Sequence, residues 1–264
     1  MSRIEKKAII YTSPEGSVYF GNLERVLKRV NAASTLLMST DHELELTDPL
    51  TGQSHRSKSF LLPAGINLDI DTHHASVAWF FLDDLGSDLA KFIPQMQHAI
   101  KIDDKQYLYS DISREAELIE LAAEIKATKP SAEHVFSLFD AWKLSFAAAD
   151  GFISDERVEK AVALIKDNYA SNLPVGDIAK QVNLSVPRLV QLFKQVTGTP
   201  IRRFRLWHRV CMTALKTQEG FSMTDAAISA GFSDYAQFSR VYRELSGGSP
   251  AAAKNNTEIR VLAI

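Results

Sequence analysis

The chain has 264 residues, 45% of them hydrophobic, and 30 Lys and Arg against 32 Asp and Glu give a net charge of −2. That length suits two domains, each large enough to bury its own core. A single cysteine excludes a disulfide framework and any cysteine-rich metal site, and the absence of a signal-like start or of about 18 consecutive apolar residues leaves a soluble cytoplasmic protein with no membrane span as the expectation.

Residues 1 to about 83 read as short strands separated by turn signals. KAIIYTS, SVYFGNLERVLKRVN, STLLMST, SFLLPAG, INLDIDT and ASVAWFFL are rich in β-branched and aromatic residues. Gly16, Gly21, Asp48-Pro49, Gly52 and Pro63-Ala64-Gly65 punctuate them. A small β-sandwich or barrel follows from that spacing. His73-His74 is the sole adjacent histidine pair. Neighbouring strand residues point to opposite faces, so the two do not easily share one ion, and neither a metal nor another cofactor is expected. From Gly86 to about Ala149 the pattern turns helical, clearest in EAELIELAAEIKA and SAEHVFSLFDAWKLSFAAA, where apolar residues recur at helical spacing.

Beyond Asp155 the charge balance changes sign. That segment carries 15 Lys and Arg against 10 Asp and Glu, and Ile178 to Gln218 contains no acidic residue. The same region repeats a pattern. DIAKQVNLSVPRLVQLF, from Asp177 to Phe193, and DAAISAGFSDYAQFSRVY, from Asp225 to Tyr242, each open with a short helical stretch containing Ala179 or Ala227. A turn residue, Asn183 or Gly231, comes four positions later, and both types tolerate a positive φ. Ser185 in the first copy, and Ser233 or Asp234 in the second, can cap the next helix. Leu189 with Phe193, and Phe238 with Tyr242, then set a buried face at a spacing of four. Two helix-turn-helix units follow from this pattern.

The second unit and its tail, AGFSDYAQFSRVYRELSGGSP, resemble the most characteristic stretch of the AraC/XylS family of bacterial regulators. The likeness rests on Gly231-Phe232-Ser233, on Phe238-Ser239-Arg240 and on Gly247-Gly248-Ser249-Pro250. Leu184-Ser185, Leu189, Phe193-Lys194 and Thr197-Gly198 extend it to the first unit. The strands-then-helices order resembles the cupin-like sensor domain carried by many members.

The resemblance implies an α+β protein: an N-terminal cupin-like β-barrel with helices, and a C-terminal all-α domain of two helix-turn-helix units joined by a long helix near 201–217. Its implied divisions are a sensor barrel at 1–110, a helical dimerisation segment and linker at 111–152, and the double helix-turn-helix domain at 153–264. It implies a sequence-specific transcription regulator, an activator by default, whose partners are double-stranded DNA and RNA polymerase, with a homodimer and a small-molecule effector as further expectations. Base-contact candidates are Pro187, Val190 and Gln191 in the first unit and Tyr235, Ala236, Gln237 and Arg240 in the second. Gln and Arg suit bidentate readout of adenine and guanine, and Val or Ala can meet a thymine methyl. Val190 departs from the polar residue expected there, so this half is expected to lean on methyl groups and shape. Phosphate-contact candidates are Ser185, Arg188, Lys194, Arg202, Arg203, Arg205, Arg209, Ser233 and Arg243. The helices near 113–126 and 131–148 form either the dimer interface or a cover for the barrel.

Two rival readings are weaker. No enzyme is expected, since no Ser-His-Asp order, metal cluster, phosphate loop or carboxylate pair is evident, and Cys211 between Val210 and Met212 reads as a buried thiol. A protein-interaction module controlled by a partner, or a regulator without an effector, is the alternative. The acid-free basic stretch suits a phosphate backbone better.

Overall fold

The computed structural model describes residues 8–13, 16–23, 26–30, 32–104, 106–146, 155–246 and 248–262. Asn31, Gly247 and the expected boundary at 152 and 153 lie outside the described residues. In the N-terminal part the strands are β1 (Ala8–Thr12), β2 (Ser17–Asn22), β3 (Val26–Val30), β4 (Thr35–Ser39), β5 (Leu44–Thr47) and β6 (Ser54–Ser57). They continue as β7 (Ser59–Leu62), β8 (Asn67–Asp71), β9 (Ser76–Phe81), β10 (Met96–Lys101) and β11 (Tyr107–Ile112). The helices of this part are α1 (Ser87–Phe92), α2 (Glu115–Thr128) and α3 (Ala132–Leu144). The last strand of the chain, β12 (Thr257–Val261), returns to this region.

The strands form two sheets, one ordered β10-β11-β7-β4-β9-β2-β1-β12 and the other β3-β8-β5-β6. Alternation along each strand gives the large sheet two different faces. Leu36, Met38, Ala78 and Phe80 point toward α2 and α3 and pack with Leu118, Ile125, Val135, Phe139 and Trp142. Leu37, Val77 and Trp79 point toward the small sheet and pack with Leu44, Leu46, Leu68 and Ile70. The apolar sides of α2 and α3 are therefore engaged in covering the sheet. Their exposed positions include Glu117, Glu120, Glu124, Glu133 and Asp140.

Two expectations are corrected here. The stretch after Gly86, expected to be helical, contains the antiparallel hairpin β10–β11. The burial of β11 alternates residue by residue, a period of two beneath what read as a helical run. The stretch SVYFGNLERVLKRVN, read as one element, is divided between β2 in the large sheet and β3 in the small one. His73 and His74 lie in the turn between β8 and β9, with left-handed backbone at φ 48° and 64°.

The C-terminal part is helical: α4 (Glu156–Asp167), α5 (Val175–Gln181), α6 (Val186–Thr197), α7 (Ile201–Gln218), α8 (Met223–Ser229), α9 (Tyr235–Ser246) and α10 (Pro250–Asn256). Two cores flank α7. Ile201 and Phe204 join Ile178, Ala179, Leu189, Leu192 and Phe193 around the first unit. Val210 joins Ala227, Ala230, Phe232, Phe238 and Leu245 around the second.

The two parts share a substantial junction. Trp207 of α7 stacks on Phe81 at 5.0 Å between ring centroids. Lys166 of α4 pairs with Asp84 at 2.5 Å. Arg203 donates to the Val30 carbonyl at 3.2 Å. Leu85 packs on the first unit's core and Ala32 belongs to the second's. At the chain's end, β12 pairs in parallel with β1 from Ala8↔Thr257 to Thr12↔Val261. Leu262 N–H adds a bond to the Thr12 carbonyl at 2.9 Å, and Arg260 donates to the carbonyls of Lys129 and Pro130.

Candidate nucleic-acid interface

Each helix-turn-helix unit is built from the local signals in its sequence. In the first, Asn183 takes the left-handed turn at φ 55°. Ser185 then caps α6, its hydroxyl accepting from the Arg188 N–H at 3.4 Å. Gly198, at φ 72°, closes α6 with its N–H on the Lys194 carbonyl. In the second unit Gly231 takes φ 90°, and a Cβ there would lie 2.9 Å from the Ala170 carbonyl oxygen and 3.1 Å from the Arg209 guanidinium carbon. The turn thus requires glycine for its dihedral and for its close approach to the chain just beyond α4.

The cap of α9 is Asp234, whose carboxylate accepts from the Gln237 N–H at 2.7 Å. The Gln237 side chain reaches back, its Oε1 accepting from Ser233 N–H at 2.8 Å and from Ser233 Oγ at 3.2 Å. This reciprocal arrangement is a capping box displaced by one residue. The bond from the backbone N–H of Gln237 holds the Asp234 carboxyl below the usual carboxylate range.

The recognition faces differ between units. On α6, Leu189, Leu192 and Phe193 are buried, and Val186, Pro187, Arg188, Val190, Gln191 and Lys194 are exposed. Arg188 donates to Gln191 Oε1 at 3.1 Å, so these two polar side chains are already joined. On α9, Ala236, Arg240 and Arg243 are exposed. Tyr235 is half-buried with its ring 6.0 Å from that of Phe238, and Gln237 is occupied by its cap.

The arginines of α7 have divided roles. Arg202 is exposed. Arg203 is bonded to Val30 of the N-terminal part and pairs with Glu244 at 3.4 Å. Arg205 donates to Asn172 Oδ1 at 3.2 Å and to the Leu173 carbonyl. Arg209 donates to the Tyr169 carbonyl at 2.8 Å. Burial lowers the pKa of both Arg205 and Arg209 from the ordinary guanidinium value. Three of the phosphate candidates thus satisfy carbonyls in β3 or in the segment that follows α4, uses that a run of basic residues in the sequence does not reveal.

Cys211 also lies at the domain junction, where burial and the nearby Asp84 carboxylate push its thiol up to about 12. At neutral pH it is protonated and a poor nucleophile. The N-terminal part has an open cleft of about 520 Å³ lined by Asp41, His42, Glu43, Arg56, Lys58 and His73.

Comparison with known proteins places this geometry. The sequence model of a family described as a helix-turn-helix domain matches residues 178–256, from α5 through α10. The arabinose operon regulatory protein of Escherichia coli is 31% identical over 109 residues, which cover 40% of this chain and 37% of that protein. The C-terminal domain is an AraC-type helix-turn-helix domain. The msm operon regulatory protein of Streptococcus mutans is 29% identical over 116 residues, 44% of this chain and 42% of that protein. The chain therefore spans about two-fifths of the length of these curated relatives.

Over nearly the whole chain the fold is that of ToxT from Vibrio cholerae. An apo form of a ToxT variant superposes with a TM-score of 0.58 at 14% identity, covering 95% of this chain and 98% of that one. A ToxT structure with unsaturated fatty acid bound gives 0.55 at 16% identity, covering 96% of each. This likeness extends the two-domain architecture to the N-terminal sheets. Among the described residues no helix is long and apolar enough to cross a membrane.

Proposed function

We propose that the chain is a sequence-specific DNA-binding transcription regulator, an activator, that reads two successive major grooves with α6 and α9. One observation carries this reading: a repeated unit presents, twice, a capped helix whose inner face is buried and whose outer face holds exposed polar or basic side chains. Gln191 and Arg240 occupy equivalent positions in the two units, both exposed. Arg188, Lys194, Arg202 and Arg243 are exposed cations around them, suited to phosphate contacts. Ser185 and Ser233 use their hydroxyls within the caps, and Ser185 keeps its hydroxyl proton to donate to a phosphate. RNA polymerase is the partner this reading requires.

Arg240→Ala tests the base-reading role. The variant is expected to lose about 1–3 kcal/mol on its preferred duplex and to relax specificity at one position. Equal weakening on every sequence would reduce Arg240 to a phosphate contact.

ToxT binds an unsaturated fatty acid, and control of this chain by a small molecule of that class, held in its N-terminal domain, is the first reading of its regulation. A second reading, regulation without such an effector, is favoured by the continuous apolar packing between the two sheets, where Leu37, Phe60, Leu62 and Trp79 of one meet Leu44, Leu46, Leu68 and Ile70 of the other. Thermal denaturation with and without unsaturated fatty acids separates the two: a concentration-dependent rise supports the effector, and an unchanged transition supports the second reading. In either case self-association through α2 and α3 would have to use their outer, acidic faces.

A further inference from the structure

The two recognition helices are not chemically equivalent, and the difference names the kind of sequence each takes. Val186 and Val190 lie one turn apart on the outer face of α6, 42% and 43% exposed, and Pro187 extends the apolar surface. The counterparts in α9 are Tyr235, which is half-buried against Phe238, and Ser239, which is buried. The first unit therefore offers the larger apolar patch at its recognition face, where the second has Ala236 alone fully exposed. Scattered surface valines need no explanation. Here Val186, Val190 and Lys194 follow one another at a spacing of four, Gln191 stands on the adjoining exposed stripe and Arg188 beyond it, on a helix and a flanking stretch without a single acidic residue from Ile178 to Gln218. An apolar protein groove does not match that rim of positive charge. A DNA major groove does, and the one apolar group it displays is the 5-methyl of thymine.

Resting on the DNA-binding reading above, we infer that α6 selects thymine methyl groups through Val186 and Val190, so that the first half-site is rich in A·T pairs. The Arg188–Gln191 bond, 3.1 Å long, deepens the asymmetry. One of the two lone pairs of Gln191 Oε1 is taken by Arg188, while α9 relies on the exposed guanidinium of Arg240. The first unit reads shape and methyl groups, and the second reads hydrogen-bond acceptors.

The test needs no known promoter. One pool of sheared bacterial DNA is re-amplified with dTTP or with dUTP, which delivers the same sequences with and without the methyl group. Binding of the full-length protein to each pool is measured alongside the double variant Val186→Ser with Val190→Ser, whose fold is checked by circular dichroism and thermal melting. Removing one methyl group from beneath a valine should weaken binding about fourfold, so with two valines the wild type is expected to prefer the thymine pool by about fifteenfold. The double variant should bind both pools alike, with an affinity close to that of the wild type for the uracil pool. Equal binding of the wild type to both pools, or a thymine preference that survives in the variant, would overturn the inference and leave DNA binding intact. Failure of the wild type to bind either pool would overturn the DNA-binding reading itself.

Discussion

His208 offers a quantitative test of the domain junction. It lies on α7 with its ring 5.8 Å from Tyr169 in an edge-on arrangement, close to Lys166, which is itself paired with Asp84 of the N-terminal part. Burial and then the neighbouring Lys166 charge pull its pKa from 6.5 down to about 4. The folded protein holds this imidazole neutral where the unfolded chain protonates it. The contribution to stability is therefore intact above pH 6.5 and is lost as pH falls toward 4. At about 1.4 kcal/mol per pH unit the full interval corresponds to roughly 3 kcal/mol, of which about 2 kcal/mol has gone by pH 5.

Urea unfolding at pH 7.5 and pH 5.0, followed by circular dichroism, measures the loss in the wild type and in His208→Asn. Other groups titrate in both proteins, so the difference between the two losses isolates this histidine. The variant is expected to lose about 2 kcal/mol less than the wild type over that pH step. Losses that agree within about 0.5 kcal/mol would show that His208 titrates near its ordinary value, and that α7 is not sealed against α4 and the Asp84 loop as described.

Two further outcomes follow from the backbone. Gly231→Ala places a Cβ 2.9 Å from the Ala170 carbonyl at a φ of 90°, so it should cost about 3 kcal/mol and lower the melting temperature by several degrees, whereas a cost below about 1 kcal/mol would mean the turn can re-form without glycine. Truncation after Asn256 removes the strand that pairs with β1, and amide hydrogen exchange along β1 should accelerate while the distant β4–β9 pairing stays protected. Unchanged exchange in β1 would show that β12 contributes nothing to holding that edge.

Much of the C-terminal domain is legible in the sequence because its determinants are local. A positive-φ residue, a capping serine and a spacing of four lie within about one turn of each other, and Asn183, Ser185 and Gly231 take the roles their types suggest. The role of Gln237 is legible in principle, since Asp234 followed three positions later by Gln is a capping-box signature. The residue type does not separate that role from a base contact, because Gln suits adenine equally well. Arg203, Arg205 and Arg209 cannot be sorted from Arg202 in the sequence: the carbonyls that hold them belong to Val30, Leu173 and Tyr169, brought close only by tertiary packing. The same reason hides β12. TEIRV is short and mixed in polarity, and its partner strand stands at the opposite end of the chain.

The N-terminal sheets are less completely legible. Strands with buried alternation, such as β9 with Val77, Trp79 and Phe81 on one face and Ala78 and Phe80 on the other, declare themselves. The β10–β11 hairpin does not, because β10 has an exposed edge and a polar sequence, and it follows the genuine helix α1.

Reading of two successive grooves is tested by incubating the full-length protein with fragmented bacterial DNA at two salt concentrations and sequencing what is retained. The expected result is a recovered motif of two boxes about one helical turn apart, with retention falling steeply as salt rises. Retention of a single box, or a motif whose recovery is indifferent to salt, would contradict a protein that reads two successive major grooves with α6 and α9.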